Sequence, residues 1–134
     1  MEWHDSMNIG IDEIDRQHRR LITFIHQNLL QISASKDHAR AGKFIELLMQ
    51  HIREHFATEE RYMMNEGYDK IDYHRNKHIE MTERILSMQQ RYITDEDVDS
   101  DRIVSFFDKW VIGHFRTEDQ DFGRYLKSRL IRNL

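Results

Sequence analysis

Seven residues of this chain have the types and spacing to hold two metal ions. His55 and Glu59 are four apart, as are His74 and His78; His114 and Asp119 are five apart, and His18 stands alone upstream. A four-residue step on an α-helix climbs about one turn and rotates by only about 40°, so each four-spaced pair presents two donors on one face. Five imidazoles and two carboxylates suit iron, a metal of intermediate softness.

Spacing between the pairs tests whether they belong together. Suppose four antiparallel helices turn near Ser35-Lys36-Asp37, at Gly67 and near Asp95-Glu96-Asp97. His18 then lies 18 residues before Lys36 and His55 19 after it; Glu59 lies 8 before Gly67 and His74 7 after. His55 and His78 flank Gly67 at 12 and 11 residues, and His78 and His114 flank Glu96 at 18 each. At about 1.5 Å of rise per residue, all four helices deliver donors at one height, which unconnected histidines would seldom do. His114 and Asp119 are the awkward pair, because five residues span about 140°. Either Asp119 reaches in from the side as a bridge, or the helix carries a local π-type bulge.

The elements that must position these groups can be read from apolar stripes. Residues 1–11 read as an ordered non-helical arm anchored by Trp3, Ile9 and Ile11. A helix over 12–33 carries Ile14, His18, Leu21, Ile25, Leu29 and Ile32 on one stripe. The next, over 38–66, has Asp37 as its N-cap and Gly67 just past its end, and turns Phe44, Leu48, Ile52, His55, Glu59 and Tyr62 inward. A third, over 69–93, carries Ile71, His74, His78, Met81, Ile85, Met88 and Tyr92 in the alternating three- and four-residue steps of an antiparallel bundle. The acidic stretch 95–101 breaks that pattern and suits the start of a fourth helix near Ser100. That helix turns Ile103, Phe107, Trp110, Val111, His114 and Phe122 inward. The expected fold class is all-α: an up-down-up-down antiparallel four-helix bundle with an ordered N-terminal arm, forming one domain over 1–134.

Composition agrees. At 134 residues, with no proline and five glycines, the chain suits one domain of long uninterrupted helices. Hydrophobic content of 39% against 33% charged residues fits a bundle with charged outer faces. The absence of cysteine excludes disulfides, thiolate nucleophiles and iron–sulfur clusters. No apolar run approaches the ~20 residues of a membrane span, and the first residues lack a signal peptide's basic start and apolar core. The expected location is the cytoplasm, with no membrane partner. A net charge of −4 without a basic block argues against nucleic acid as a partner.

All seven candidates lie on inward stripes, where an unpaired imidazole or carboxylate would be costly to bury. Metal coordination resolves that cost more completely than mutual hydrogen bonding. Around them, His51, four before His55 and on nearly the same face, reads as a polar contact or partly exposed group, with an auxiliary ligand or a group supporting the ligands as the alternative, and His4, His26 and His38 as solvated. Glu60, about 100° from Glu59, reads as surface. Asp15, one turn before His18, reads either as a group orienting an imidazole or as an exposed carboxylate at a helix start. Neither H-x-x-x-H is the zinc-protease H-E-x-x-H, and there is no G-x-S-x-G and no glycine cluster for phosphate.

Several runs resemble bacterial hemerythrins: Trp3…Asn8-Ile9-Gly10-Ile11-Asp12…Asp15-Arg16-Gln17-His18, His55-Phe56-Ala57-Thr58-Glu59-Glu60…Met63, His74…His78 after Gly67-Tyr68, and Trp110…His114…Asp119. The resemblance spans nearly the whole chain. It implies a non-haem centre of two irons joined by an oxo or hydroxo bridge, in a protein, expected to be monomeric, that binds dioxygen reversibly and is not an enzyme. It assigns His74, His78 and His114 to one iron and His18 and His55 to the other, with Glu59 and Asp119 bridging both. The second iron keeps an open position for dioxygen, in a pocket expected to involve Trp110, Val111, Phe56 and Phe115. One departure stands out: where hemerythrins usually carry a leucine after the tryptophan, over the oxygen site, this chain has Val111. Rival readings are a di-iron enzyme acting on peroxide or nitric oxide, and an oxygen-sensing or iron-handling module.

Overall fold

The computed structural model describes residues 5–35, 38–94 and 100–132. Trp3, His4, Asp37 and the acidic turn at 95–99 lie outside it, as do the side chains of Leu29, His38 and Tyr92. All regular structure among the described residues is helical. Three long helices, α1 (Asp12–Ser35), α2 (His38–Asn65) and α3 (Ile71–Thr94), are followed by a fourth rod built in pieces. Its pieces are α4 (Ser100–Phe106), a π-helical segment (Phe107–Ile112), α5 (Gly113–Arg116) and α6 (Glu118–Arg132). The molecule is an antiparallel four-helix bundle, as the stripes predict.

The α2–α3 turn shows why the chain reverses where it does. Gly67 sits at φ 65°, a left-handed conformation that glycine adopts without strain. Its N–H donates to the Met64 carbonyl at 3.2 Å, and that of Tyr68 donates to Met63 at 2.9 Å. These bonds satisfy two of the carbonyls left open at the end of α2. Tyr68 and Met63, the residues flanking the reversal, are both buried in one small apolar cluster with Ile9, Ile14 and Phe122.

That cluster occupies the Gly67 end of the bundle. A larger one, including Ile25, Ile45, Leu48, Ile85, Ile103 and Phe107, fills the other end. Each helix passes from one cluster to the other through a polar stretch: His18 between Ile14 and Ile25, and His55 and Glu59 between Ile52 and Met63. His74 and His78 likewise lie between Tyr68 and Met81, and His114 and Asp119 between Ile112 and Phe122. Apolar burial worth about 1.5–3 kcal/mol for each large side chain thus holds a charged layer dry from above and below.

The N-terminal arm closes the Gly67 end and is not wholly non-helical as expected: Asp5–Met7 form one 3-10 turn, closed by the Asn8 N–H donating to the Asp5 carbonyl at 3.1 Å. Asp15 accepts the Ile9 N–H at 2.8 Å and the Gly10 N–H at 3.2 Å. Gln120 Nε2 donates to the Met7 carbonyl at 2.8 Å, and Ile9 is buried. A Cβ added at Gly123 would lie 3.1 Å from the Ile9 Cβ, so glycine is what lets the arm lie against α6. Of the expected inward residues, Ile11, Tyr62, Ile71, Met88 and Trp110 are only half-buried. The Tyr62 hydroxyl leaves the interior to donate to Glu13 at 2.6 Å.

Candidate metal centre

The seven side chains meet in one buried layer, each no more than 3% exposed. Their donor atoms form two overlapping groups, each with all its atoms within 4.8 Å of one another: His74, His78, His114, Glu59 and Asp119, and His18, His55, Glu59 and Asp119. The two carboxylates belong to both, and each divides its oxygens between them. Glu59 Oε1 lies 3.0 Å from His18 Nε2 and 2.5 Å from His55 Nε2. Its Oε2 lies 2.9 Å from His74 Nε2 and 3.2 Å from His78 Nε2. Asp119 Oδ2 lies 3.0 Å from His18 Nε2, while Oδ1 lies 3.0 Å from His74 Nε2 and 3.1 Å from His114 Nε2.

Proximity here is not hydrogen bonding throughout. Neither Asp119 oxygen nor His55 Nε2 has a partner in hydrogen-bonding geometry among the described residues, although all three atoms are buried. Leaving such atoms unsatisfied costs about 1–3 kcal/mol each. Buried imidazole nitrogens and carboxylate oxygens that crowd together with those bonds unmade fit a shared cation, and the donor set fits iron.

Charge gives the same answer. Burial pushes the His18 imidazole down, but the Asp119 and Glu59 carboxylates outweigh it and raise it to about 9. The same balance raises His74 to about 9. Burial also opposes protonation of His114, and Asp119 chiefly raises it to about 10. Burial lowers His55. Burial would raise Glu59, and burial with the Glu59 charge would raise Asp119, yet the surrounding imidazoles hold both carboxyls low. Two buried carboxylates therefore demand positive charge, from protons or from metal.

The fourth rod explains how residues five apart reach one layer. Thr117 interrupts it at φ −112°, ψ −79°, and its N–H is shared between the carbonyls of Gly113 at 3.0 Å and His114 at 3.3 Å. This break between His114 and Asp119, not a π-bulge, resets the register, so Asp119 enters as a side-on partner of both groups. The π-helical segment lies just upstream, at Phe107–Ile112.

Further partners hold the outer imidazole nitrogens. His55 Nδ1 lies 2.8 Å from Gln17 Oε1, His78 Nδ1 3.0 Å from Glu60 Oε2, and His114 Nδ1 3.3 Å from Glu118 Oε1. Glu60 is therefore not the surface residue its position suggests: it is partly buried between α2 and α3 and also accepts from Arg75 Nε at 3.1 Å. Asp15 is buried but bonded to the arm, which corrects both readings of that residue. His51 and His26 are exposed, as expected. Phe56 stacks on the His78 ring at 3.7 Å between centroids, and Phe115 stacks on His18 at 4.1 Å. Val111 is buried beside Ile112 and Phe115 in the larger cluster. Trp110 instead lies under the Arg84 guanidinium, 3.8 Å from its ring centre.

A four-helix bundle with a buried layer of histidines and two shared carboxylates defines a cation-binding class of protein. Residues 9–126 match the family described as Hemerythrin HHE cation binding domain, and the chain belongs to that family. It is 33% identical over 129 residues to a bacteriohemerythrin of Stenotrophomonas maltophilia, a match covering 96% of this chain and 82% of that one. It is 31% identical over 134 residues to a bacteriohemerythrin of Pseudomonas aeruginosa, covering 98% and 86%. A solved structure of wild-type hemerythrin has a TM-score of 0.82 at 22% identity over 92% of this chain and 95% of that one, a likeness of fold. No helix among the described residues is long and apolar enough to cross a membrane.

Proposed function

We propose that this protein is a single-domain, non-haem di-iron protein that binds dioxygen reversibly, for storage, transport or delivery, and is not an enzyme. The observation that carries the reading is the division of Glu59 and Asp119, each with one oxygen toward the His74–His78–His114 group and the other toward the His18–His55 group. In this reading His74, His78 and His114 would hold one iron and His18 and His55 the other, and the two carboxylates would be shared between them beside an oxo or hydroxo group. The site with fewer histidines keeps a position for dioxygen. A pair of ferrous ions supplies the two electrons that reversible oxygen binding requires. The chain's own part is enclosure: Phe56 and Phe115 stack on the imidazoles, and buried Val111 helps keep the layer dry. A histidine-rich donor set favours binding over the oxygen activation associated with carboxylate-rich di-iron sites.

The test is spectroscopic. Air added to the anaerobic, ferrous-loaded protein should produce visible charge-transfer bands that disappear when oxygen is removed. Absence of such bands removes the oxygen-binding reading, and steady turnover of peroxide or nitric oxide would replace it with an enzyme. Elemental analysis should find about two irons per chain; a reproducible value near one, or zinc instead, removes the di-iron assignment.

A further inference from the structure

The outer imidazole nitrogens are held differently on the two sides of the centre. On the three-histidine side, His78 Nδ1 meets the Glu60 carboxylate at 3.0 Å and His114 Nδ1 meets Glu118 at 3.3 Å. Both carboxylates are fixed in turn: Glu60 accepts from Arg75 at 3.1 Å, and Glu118 accepts the Thr117 hydroxyl. On the two-histidine side, His55 Nδ1 meets the neutral amide oxygen of Gln17 at 2.8 Å, and Gln17 donates to Thr58 at 3.2 Å. A carboxylate that accepts the outer N–H makes the imidazole a stronger donor, and a stronger donor favours the more highly charged metal ion.

We propose that Glu60 and Glu118 are positioning residues that make the three-histidine iron the easier of the two to oxidise, so that the first electron leaves from that side. The inference rests on the di-iron reading above and deepens it. In that reading the position for dioxygen lies with His18 and His55, so an electron from the three-histidine side would cross the Glu59–Asp119 layer. Of the outer partners described, the two on the three-histidine side are anionic and the one on the other side is a neutral amide, and that difference favours this direction. With an outer-sphere one-electron oxidant such as ferricyanide, the step is simple: one ferrous ion becomes ferric, the oxidant gains the electron, and no covalent bond is made.

The experiment is a redox titration of the iron-loaded protein, with iron content measured on the same samples and Mössbauer spectra of the half-oxidised state. Glu60→Gln and Glu118→Gln should each raise the first potential. If loss of the charge costs ferric iron about tenfold more affinity than ferrous, at the low end of such outer-partner effects, the shift is ~59 mV. Gln17→Glu is the converse variant. Gln17 lines an open pocket of about 320 Å³ that can admit a carboxylate, and this change should lower the second potential and narrow the separation. A purely structural role for Glu60 or Glu118 would reduce iron content without moving the potential of the loaded fraction, and that result overturns the proposal. Fewer than two irons in the unaltered protein would instead sink the di-iron reading itself. Should the glutamate variants fail to load iron, Gln17→Glu decides alone: an unmoved second potential overturns the proposal.

Discussion

Replacing Glu59 by glutamine tests the shared-carboxylate geometry most directly. The side chain is 1% exposed, and its two oxygens lie within 3.2 Å of four imidazoles, from His18, His55, His74 and His78. Glutamine keeps the volume but turns one terminal atom into an NH₂, which donates protons and cannot ligate. Whichever way the amide turns, one metal position faces that NH₂, and the other keeps only a neutral oxygen. The iron count should fall from about two to one or none. Each ion lost removes about 4 kcal/mol of stabilisation at a thousandfold excess over its Kd, a large share of a small domain's 5–15 kcal/mol. In the metal-free protein, loss of the buried charge should cost about 3–5 kcal/mol, since the imidazoles around it remain. Elemental analysis and denaturant titrations with and without iron read both effects. His18→Ala is the comparison, because His18 belongs to one donor group only and its loss should leave the three-histidine site filled. The reasoning fails if Glu59→Gln holds two irons and binds oxygen normally while His18→Ala holds none.

Three other outcomes follow from the same geometry. In the metal-free protein, the histidines raised to about 9 and 10 contribute stability fully below their ordinary 6.5 and lose it as pH rises through 9–10. Glu59 and Asp119, both lowered, act oppositely and lose theirs as pH falls below their ordinary 4.5 and 3.8. Denaturation midpoints should therefore drop between pH 6.5 and 10, and a flat or rising profile there refutes the balance. Val111→Leu adds one methylene to a 2%-exposed position beside Phe115 and should slow autoxidation of the oxygenated protein. An unchanged or faster rate means that Phe56 and Phe115 already close the pocket. Gly123→Ala puts a methyl 3.1–3.2 Å from Ile9, including its backbone, and should cost about 1–3 kcal/mol in a chemical melt; no loss would show that the arm shifts freely.

Most of the bundle was legible because its signals are local. Apolar stripes at helical spacing, a glycine at the α2–α3 turn and the absence of proline need no knowledge of distant contacts, and α1 to α3 end within two residues of their expected bounds. The fourth rod was less legible. Ile103, Phe107, Trp110, Val111 and His114 are spaced as on a regular helix, and nothing within 107–112 announces the wider π turn. That extra residue per turn changes which face each following side chain takes. Trp110, inward on a regular helix, instead lies half-buried against Arg84.

At the site, the inner atoms were legible and their outer partners were not. Glu118, which the sequence did not single out, takes the outer nitrogen of His114, while Asp119, one residue on and past the break at Thr117, turns inward. Glu60 misled for a related reason. A residue 100° from the core face of an isolated helix points to water, but in a bundle it meets the flank of the next helix. There His78, arriving on α3 with its own Nε2 turned inward, leaves Nδ1 facing outward at that flank. A carboxylate beside an inward ligand is therefore well placed to bond the outer nitrogen of a ligand on the neighbouring helix. Gln17, beside His18 on α1, does the same for His55 on α2.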